Sequence, residues 1–588
     1  MSTGYGHRPS WPSVRRGRRQ LLAGTALSGA AALALAACGG GGAGGGSKES
    51  GGGSAPSAGA STSAGTAGAG QVRRGGTYLM DGAKFTDVLD PHRSQAEAAG
   101  LFAFIGNQPL RISADGKNLE PTLVEKWEIP GDGTEIILKT RAGVKWHNRA
   151  PTNGRPFTAE DLGYNLQRIA GKLDPSRAAS YQRRSTLPNL DSVSAVDDTT
   201  LRVKLSAPHS GFLRGMAHER NYIIPKDLVD AQADKWNDPM TLVGTGPWMF
   251  ESYQKDVKAV LKPNPDYWEK GKPYLDSVEQ SAVPDRLSAL SAFSQGKINQ
   301  FNLANKTERD TLSKTVKDAQ AVVWTFANWT HFRFNMTRRP FTDVRVRQAL
   351  QLVFDYKQWA DAYYGDGFWE YTGPLATAFP EAIPAAEVAK LPGWNPATKE
   401  QDIKKAKDLM TAAGYPDGNI SFKLFPSTLP GFIFQDDAVR AQDTLKRIWP
   451  AMDVTIDIQP DYAVYGTRQV QGDFDVLVYV IYSAPDAVLD LADNYHSNGS
   501  RNYGKFKDTQ IDQLLDKAAV QLDNAQRTTT LKDVQDQLIN KHMYVITTDQ
   551  PKQVVHVSGK VKGLENAGRP FGGASRDISL AAKDFWLA

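Results

Sequence analysis

The sequence predicts a mixed α/β fold, because hairpin patterns dominate its first third and amphipathic helical patterns dominate its later part. Residues 127–129 and 135–138 are strand-like segments on either side of a Gly-Asp-Gly turn at 131–133, and this arrangement is typical of a β-hairpin. Thr200–Leu205 alternates polar and apolar residues, as a half-buried strand does. Strands are therefore expected before the helices lengthen.

Four later segments repeat apolar residues at the 3.6-residue spacing of an α-helix, at 346–354, 403–410, 511–518 and 531–538. Asp343 is a candidate N-cap for the first segment, and Gly414 with Pro416 beyond it is a candidate end for the second. An earlier helix is predicted to begin after Thr158, because a threonine side chain can cap it. A short strand is predicted at 543–546, after the last helix.

The net charge of the chain is concentrated at its N-terminus. Of the 588 residues, 69 are Lys or Arg and 64 are Asp or Glu, a formal net charge of +5. Residues 1–37 contain five arginines and no acid, and without those five the basic and acidic totals are 64 each. A chain of balanced charge lacks the basic surface that binds a polyanion, so no nucleic-acid partner is expected.

Cys38 is the one cysteine in the sequence, which excludes an internal disulfide framework and a zinc site built on several cysteines. A basic run at 15–19, a weakly apolar run at 21–37 and two alanines precede it, and this resembles a bacterial lipobox. We predict that residues 1–37 are a signal peptide and that Cys38 is lipidated. The alternative is an ordinary signal peptide with a chance cysteine. The pair Arg18-Arg19 resembles a twin-arginine signal, with general export as the alternative.

Residues 38–73 are predicted to be a flexible tether. Between 39 and 70 every residue is Gly, Ala, Ser or Thr except Lys48, Glu49 and Pro56, and such a composition cannot bury a core. A random coil of this length has a typical reach of ~30 Å. The folded part is therefore expected at the outer face of the bacterial cytoplasmic membrane, or in the periplasm where two membranes are present.

Familiar catalytic motifs are missing from the sequence. It contains no P-loop and no Gly-x-Ser-x-Gly, and Tyr222 stands where a zinc helix beginning at His218-Glu219 would have its second histidine. Paired carboxylates have no signature of their own. A secreted hydrolase therefore stays an alternative, although the prediction is that the protein is not an enzyme and has no cofactor.

Short blocks spread along the chain follow one another in a specific order. They are Gly75-Gly76-Thr77-Tyr78, Leu89-Asp90-Pro91-His92, 119–127, 145–147, 157–161, 244–248, 264–268, 334–335, 340–349, 412–418 and 472–475. Their sequence and order resemble the extracellular solute-binding proteins (family 5) of peptide-type ABC importers over roughly residues 74–570. Each block alone is weak, but their collinear order is specific to that family.

The resemblance implies a two-lobed clamshell of the type II periplasmic-binding-protein class, with an extra subdomain on the first lobe. Lobe I is expected at 74–115, 225–325 and 545–588, the inserted subdomain at 116–224 and lobe II at 326–544. Two crossings, near 327–333 and 543–549, are expected to form the hinge. The resemblance also implies that a solute is captured between the lobes and delivered to ABC permease subunits, and that the protein is a monomer.

The solute is the least determined part of this prediction. Peptide-binding members resembling this chain carry a Trp-x-x-Asp segment whose aspartate takes the peptide's α-amino group. Here Tyr482 replaces the tryptophan and Pro485 stands where the aspartate is expected, with Asp486 one position later. A peptide is the first prediction, and an oligosaccharide, a metallophore or nickel chelate, and haem are the alternatives that the family offers.

Segments that resemble the cleft-lining parts of the family supply the candidate ligand-binding residues, which are Phe85, Asn328, Trp329, Phe368, Trp369, Tyr479, Tyr482 and Asp486. Aromatic side chains offer rigid apolar faces with polar edges, which suits a cleft that grips varied ligands. The alternative for each is core packing. His496 with Asp490 and Asp493 resembles a metal set, but such a Tyr-His-Ser-Asn-Gly turn is commonplace in the family and no metal site is expected.

Overall fold

A computed structural model describes residues 71–82, 89–94, 97–181, 183–233, 236–428, 433–568, 571 and 574–588. The predicted signal peptide, the predicted lipidation site Cys38 and all but the last three residues of the predicted tether lie outside the described residues, and so does Phe85. Residues 69–588 form one compact unit by their contacts.

Strands occur along the whole described part of the chain. In order they are β1 (Thr77–Asp81), β2 (Leu110–Ile112), β3 (Leu119–Pro121), β4 (Val124–Glu128), β5 (Glu135–Thr140), β6 (Leu190–Asp197), β7 (Thr200–Leu205), β8 (Trp248–Gln254), β9 (Lys258–Pro263), β10 (Ser277–Ser281), β11 (Gln300–Leu303), β12 (Gln320–Thr325), β13 (Asn328–Phe334), β14 (Trp369–Glu370), β15 (Ser421–Pro426), β16 (Asp453–Ile456), β17 (Val476–Tyr482), β18 (Val545–Thr547), β19 (Gln550–Val557), β20 (Val561–Lys562) and β21 (Trp586–Leu587).

Helices alternate with these strands and lengthen after residue 340. In order they are α1 (Glu97–Ile105), α2 (Ala159–Ile169), α3 (Phe212–Met216), α4 (Lys226–Gln232), α5 (Arg286–Ser294), α6 (Lys306–Thr315), α7 (Val344–Val353), α8 (Tyr356–Tyr363), α9 (Ala385–Val388), α10 (Lys399–Ala412), α11 (Phe434–Ile448), α12 (Tyr462–Gln471), α13 (Ala487–Tyr495), α14 (Thr509–Val520), α15 (Asn524–Asp536) and α16 (Ala574–Ala581).

The predicted α/β class is confirmed, and local chemistry explains where the elements begin. Helix α2 starts with a capping box, in which Thr158 Oγ1 accepts from the Asp161 amide and Asp161 Oδ2 accepts from the Thr158 amide. Asp343 caps α7 through the Arg345 amide at 2.9 Å. The four predicted helical stripes fall in α7, α10, α14 and α15, except for Phe354 and Leu538, which follow the ends of α7 and α15. Strand β4 pairs antiparallel with β5, as the hairpin pattern predicts.

Four sheets carry the fold. One has the order β1-β10-β9-β8, with β1 parallel to β10, and a second is the antiparallel sheet β4-β5-β7-β6. A third has the order β11-β19-β12, with β14 also paired to β19. The fourth has the order β16-β15-β17-β13-β18, in which β15 runs parallel to both of its neighbours. We call the third the hinge-side sheet and the fourth the second-lobe sheet.

Two large apolar cores lie on these sheets. The first contains Trp146, Trp248 and Tyr78, all fully buried, and the second contains side chains of the second-lobe sheet with α7, α10 and α11. Ile511 of α14 and Leu531 of α15 pack in the first core, although the sequence assigns both helices to lobe II. The predicted lobe boundaries stay predictions, and side chains of the predicted lobe II, including those of these two helices, pack in the first core.

Two direct passages of the chain between the hinge-side and second-lobe sheets lie next to each other, from β12 to β13 and from β18 to β19. The two passages are bonded to each other. The Thr330 amide donates to the Asp549 carbonyl and the Thr548 amide to the Thr330 carbonyl, both at 3.0 Å. The Gln550 side chain donates to the Phe326 carbonyl at 2.9 Å. We call residues 326–330 and 548–550 the double crossing. It falls where the sequence predicts the hinge.

A buried ion pair joins the N-terminal segment to α2. Asp90 is fully buried and accepts from Arg168 at 3.0 and 2.6 Å, while Arg168 also contacts His92 Nδ1 at 2.7 Å. The Arg168 guanidinium therefore has its compensating charge in a site that water does not reach.

We expect Asp90→Asn to lower the free energy of unfolding by roughly 3 kcal/mol, because it leaves the buried Arg168 charge without its counter-ion. The matched control is Asp230→Asn, which breaks an exposed i,i+4 pair with Lys226 and should change stability little. Urea unfolding of the three proteins measures both effects. Equal stabilities for Asp90→Asn and the control would contradict the prediction.

Candidate functional site

The double crossing brings together two of the predicted ligand-binding residues. In the second-lobe sheet Asn328 of β13 lies opposite Tyr482 of β17, whereas Tyr479, three residues earlier on β17, belongs to the opposite face of the sheet because side chains alternate along a strand. The Phe326 ring contacts the Tyr482 ring edge-on at 6.2 Å between centroids. The antiparallel register of β13 and β17 thus assembles at one place residues that are about 150 positions apart in the chain.

Asn328 and Trp329 are fully buried, yet their polar side-chain atoms have no hydrogen-bond partner. Both the amide nitrogen and the amide oxygen of Asn328 lack one, and so does Nε1 of Trp329. Buried polar atoms in proteins are nearly always hydrogen-bonded, so each exception calls for an explanation. His331, two residues on, contacts the Trp329 ring at 5.4 Å, and burial lowers its pKa well below the ordinary value. Its imidazole is therefore neutral.

Phe368 and Trp369 lie beside the other half of the double crossing. Trp369 pairs with Pro551 of β19 and donates from Nε1 to Asp361 at 2.8 Å. The Arg309 guanidinium stacks over the Phe368 ring at 3.5 Å from its centroid. Trp369 belongs to a small apolar group with Tyr364, Ala360 and Ile433, on which Phe368 and Tyr371 pack. We call this group the aromatic cluster.

Tyr479 is half-buried in a different group of rings. It lies 6.0 Å from both Phe434 and Tyr465 between ring centroids, and its hydroxyl is 3.3 Å from that of Tyr462. Burial, with a smaller contribution from Tyr462, raises the pKa of Tyr479. The phenol is therefore neutral and can both donate and accept a hydrogen bond.

The Asp486 carboxylate is fully buried and engaged on both oxygens. As N-cap of α13 it accepts from the Val488 amide at 2.9 Å, and Oδ2 pairs with Arg527 at 3.1 Å. Arg214 of the predicted inserted subdomain lies 3.9 Å away. The prediction that Asp486 takes an amine is untested, and in this conformation its carboxylate already serves a helix end and two guanidinium groups.

Asp490 shapes the turn between Tyr482 and Asp486. Its carboxylate accepts from the Ala484 amide at 3.1 Å and from the Ser483 hydroxyl at 3.2 Å. Burial raises the pKa of Asp490 to about 7 against the opposing charge of Arg501. Pro485 has no amide hydrogen to donate. The Asp490 carboxylate therefore holds the turn by accepting from Ser483 and Ala484. The turn does not depend on an aspartate at position 485, where the family resemblance leads one to expect it.

Asp437 and Asp549 were missed by the sequence analysis. Asp437 is in the first turn of α11 and Asp549 is in the double crossing, and they are 1% and 4% exposed. The pKa of Asp549 is raised to about 6, mainly by burial, and that of Asp437 is raised well above its ordinary value by burial and by Asp549. Asp549 is the one acid between residues 543 and 557, which is a weak signal for it, but Asp437 has the sequence features of an ordinary first-turn acid.

The residues considered for a metal site do not come together. His496 Nδ1 accepts from the Asn498 amide at 3.0 Å and faces Asp512 and Asp516, whereas Asp490 supports the turn at 483–484. Within the described ranges no group of three or more His, Cys, Asp or Glu is arranged to hold a metal ion.

A cavity of about 310 Å³ lies at the β12 end of the double crossing. It is bounded by Trp324 and Thr325 of β12 together with Ala114, Asp115, Lys117, Glu370, Thr377, Ala378, Phe379 and Pro380. Its walls come from both predicted lobes, so a solute there would touch both.

Comparison with known proteins gives one family. Residues 118–503 match the family described as bacterial extracellular solute-binding proteins, family 5. Heme-binding protein A of Haemophilus influenzae is 27% identical over 489 residues, covering 79% of this chain and 85% of that protein. The periplasmic oligopeptide-binding protein OppA of Salmonella typhimurium is 25% identical over 512 residues, covering 82% and 88%.

Solved structures share the fold. The periplasmic binding protein DppA of Helicobacter pylori, in complex with the peptide STSA, superposes with a TM-score of 0.71 at 23% identity, covering 88% of this chain and 98% of that one. This likeness confirms the two-lobed, type II periplasmic-binding-protein fold that the resemblance implied.

Asp549 makes stability depend on pH in a predictable direction. Because its pKa rises on folding from 3.8 to about 6, the folded state binds the proton more tightly, and this contribution is present below about pH 4 and lost as the pH rises through about 6. The groups that face it are Tyr364, Arg440 and Asp437. Asp549→Asn lacks this titration.

We therefore expect the stability of Asp549→Asn, relative to the unmodified protein, to increase between about pH 4 and about pH 6 and to stay constant above that range. Urea unfolding at a series of pH values measures it. Asp436→Asn, which removes an exposed acid next to Asp437, is the control and should show no such rise. A flat difference for Asp549→Asn would refute the assignment.

Proposed function

Because the chain belongs to the bacterial extracellular solute-binding proteins of family 5, which bind solutes outside the cytoplasm, we propose that it captures a peptide or peptide-like solute between its lobes and delivers it to the permease of an ABC importer. The relative OppA is named for oligopeptides, and this supports a peptide over other solutes. The protein acts by binding and release and is not an enzyme.

One observation supports a solute position at the double crossing. The Asn328 side chain is fully buried at the double crossing with neither polar atom hydrogen-bonded. An amide that donates and accepts in this way matches the backbone groups of an extended peptide, and a solute that pairs with it removes the penalty for burying it unpaired. Trp329, Phe368, Trp369, Tyr479 and Tyr482 are proposed to supply the remaining contacts, with Phe85 from the first loop.

A second candidate solute is haem, because Heme-binding protein A is 27% identical to this chain. The neutral imidazole of His331, next to Trp329 in the double crossing, is the residue type that would contact such a ligand. A haem titration that shifts the Soret band of haem with this protein but not with His331→Ala would favour it over the peptide.

The protein is proposed to be exported and lipidated on Cys38, with residues 38–73 as the tether and a monomeric folded part. No helix within the described ranges has the length and apolar character to cross a membrane. Twin-arginine and general export are both compatible with Arg18-Arg19.

Replacing Cys38 with Ser tests the anchor. We expect the unmodified protein in the membrane fraction of an expressing bacterium, and Cys38→Ser in the soluble extracellular or periplasmic fraction, because the serine hydroxyl does not accept the lipid. Ser47→Ala, in the same predicted tether, is the control. Membrane retention of Cys38→Ser would contradict lipid anchoring without affecting the solute assignment.

Replacing Asn328 with Ala tests the binding site. We expect affinity for a mixed tripeptide library to fall by about tenfold, which is the loss expected for one buried hydrogen-bonding amide. The ligand-free variant should be as stable as the unmodified protein, since no protein group loses a partner. Asn498→Ala, at an exposed turn, is the control.

Isothermal titration calorimetry and thermal denaturation give the two readouts for Asn328→Ala. Unchanged affinity, or a large loss of stability in the absence of peptide, would remove Asn328 from the site. Absence of any thermal shift with peptides, oligosaccharides, metallophores and haem would count against solute capture as a whole.

A further inference from the structure

The buried carboxylates of Asp437 and Asp549 have no part in the proposed solute contacts, and one oxygen of each has no hydrogen-bond partner. Resting on the proposed function, we infer that these two side chains together bind a protonated primary amine of the captured solute. The amine site is thus distinct from Asp486, and one end of the solute is a primary ammonium group.

The two acids come from different parts of the fold. Asp549 follows β18 in the double crossing, where its carbonyl accepts from the Thr330 amide. Asp437 is in the first turn of α11, and its amide donates to the Ile433 carbonyl at 2.8 Å. The backbone of both residues is therefore fixed, and movement at the double crossing would change the separation of the two carboxylates.

Each carboxylate has one oxygen with no hydrogen bond of ordinary length. Oδ1 of Asp549 accepts from the Thr548 hydroxyl at 2.9 Å and Oδ1 of Asp437 is 3.6 Å from Arg440, while Oδ2 of both acids is buried and has no partner. Two such oxygens can accept two of the three N–H donors of a primary ammonium group. The two buried, unpaired carboxylate oxygens therefore point to a bound cation.

The local charges do not cancel. Asp437 and Asp549 face one cation, Arg440, whose side chain is 30% exposed. The neutral Tyr364 side chain hydrogen-bonds to Asp549, and the Asp436 carboxylate adds a further negative charge near Asp437. An unpaired buried carboxylate is strongly unfavourable. Burial therefore raises the pKa of both carboxyl groups, that of Asp549 to about 6. A solute ammonium would supply the missing positive charge.

The surroundings also suit an ammonium group. Ile433, one turn before Asp437, packs in the aromatic cluster with Tyr364 and Trp369. Aromatic faces attract cations through their quadrupole, most strongly where water is excluded. The same rings shield the carboxylates from water, which strengthens any charge pair that forms there.

The contrast with Asp486 favours this assignment. That carboxylate accepts from an amide at a helix end and pairs with Arg527, and Arg527 also pairs with Glu381 at 2.6 Å. Its charge is compensated without a solute. The charge of the Asp437–Asp549 pair is not compensated within the protein, because two acids face one cation, Arg440. Oδ2 of each acid also has no hydrogen-bond partner.

The test uses the full chain, or its lipid-free Cys38→Ser form, with defined probes. They are a tripeptide library with free amino termini, the same library N-acetylated, spermidine, and glucosamine. The variants are Asp437→Asn, Asp549→Asn, and Asp486→Asn for comparison. The matched control is Asp436→Asn, whose carboxylate is exposed one residue away. Calorimetry gives affinity, and thermal denaturation gives the stability of each ligand-free protein.

We expect the unmodified protein to bind the free-amine library about 30-fold more tightly than the acetylated one, and Asp437→Asn and Asp549→Asn each to lose most of that difference. Asp436→Asn should keep it. At about pH 7 the ligand-free Asp437→Asn and Asp549→Asn should be as stable as the unmodified protein or more so, because each removes a poorly compensated buried charge. A purely structural role would instead lower stability and leave the discrimination intact.

Other outcomes separate the two proposals. Tight binding of spermidine or glucosamine, lost in Asp437→Asn, would support the amine site and replace the peptide as its source. Equal binding of free and acetylated libraries, or discrimination that survives in Asp437→Asn and Asp549→Asn, would overturn the inference and leave solute capture standing. If Asp486→Asn alone abolishes discrimination, the amine belongs there. No binding of any probe, nor of sugars or haem, would overturn both.

Discussion

The backbone hydrogen bonds of the double crossing are the constraint on which the rest of the structure depends. Residues 326–330 and 548–550 pass side by side from one sheet to another and bond to each other through main-chain groups. The two segments are thereby held side by side where the sequence predicts the hinge. The unpaired polar atoms of Asn328 and Asp549 lie on these segments.

Buried charge is distributed unevenly around that constraint. Asp90 with Arg168, and Asp486 with Arg527, are matched pairs that join distant segments. They stabilise one arrangement, and removing one partner is expected to be harmful. Asp437 of α11 and Asp549 of the double crossing are poorly matched, because Arg440 is the cation that faces them. The contrast between these two acids and the charges that are compensated within the protein is a physical criterion for locating a binding site in this fold.

The sequence blocks that are typical of the family mostly contain residues that stabilise the fold. Gly244 and Gly246 pass so close to the Ile105 carbonyl group that a Cβ on either would lie 1.9 or 2.5 Å from its atoms. In the block at 157–161, Asp161 closes the capping box of α2 and also accepts from Trp146 Nε1 at 3.1 Å. These blocks contain residues that allow close contact between backbone segments or that cap a helix, and such contacts belong to the fold itself. They identify the scaffold and carry no information about the solute.

The sequence by itself determined the α/β class and the positions of the main helices, because caps, turns and hydrophobic periodicity are local properties. The collinear order of its short blocks indicated the family. The sequence also placed Asn328, Trp329 and Tyr482 as candidates, though not their unpaired polar atoms or the contacts that occupy Asp486. Only the tertiary structure decided which acids are compensated. Asp437 and Asp549 are 112 residues apart in the chain, and burial, which sets both their pKa values and their lack of partners, depends on every element packed around them.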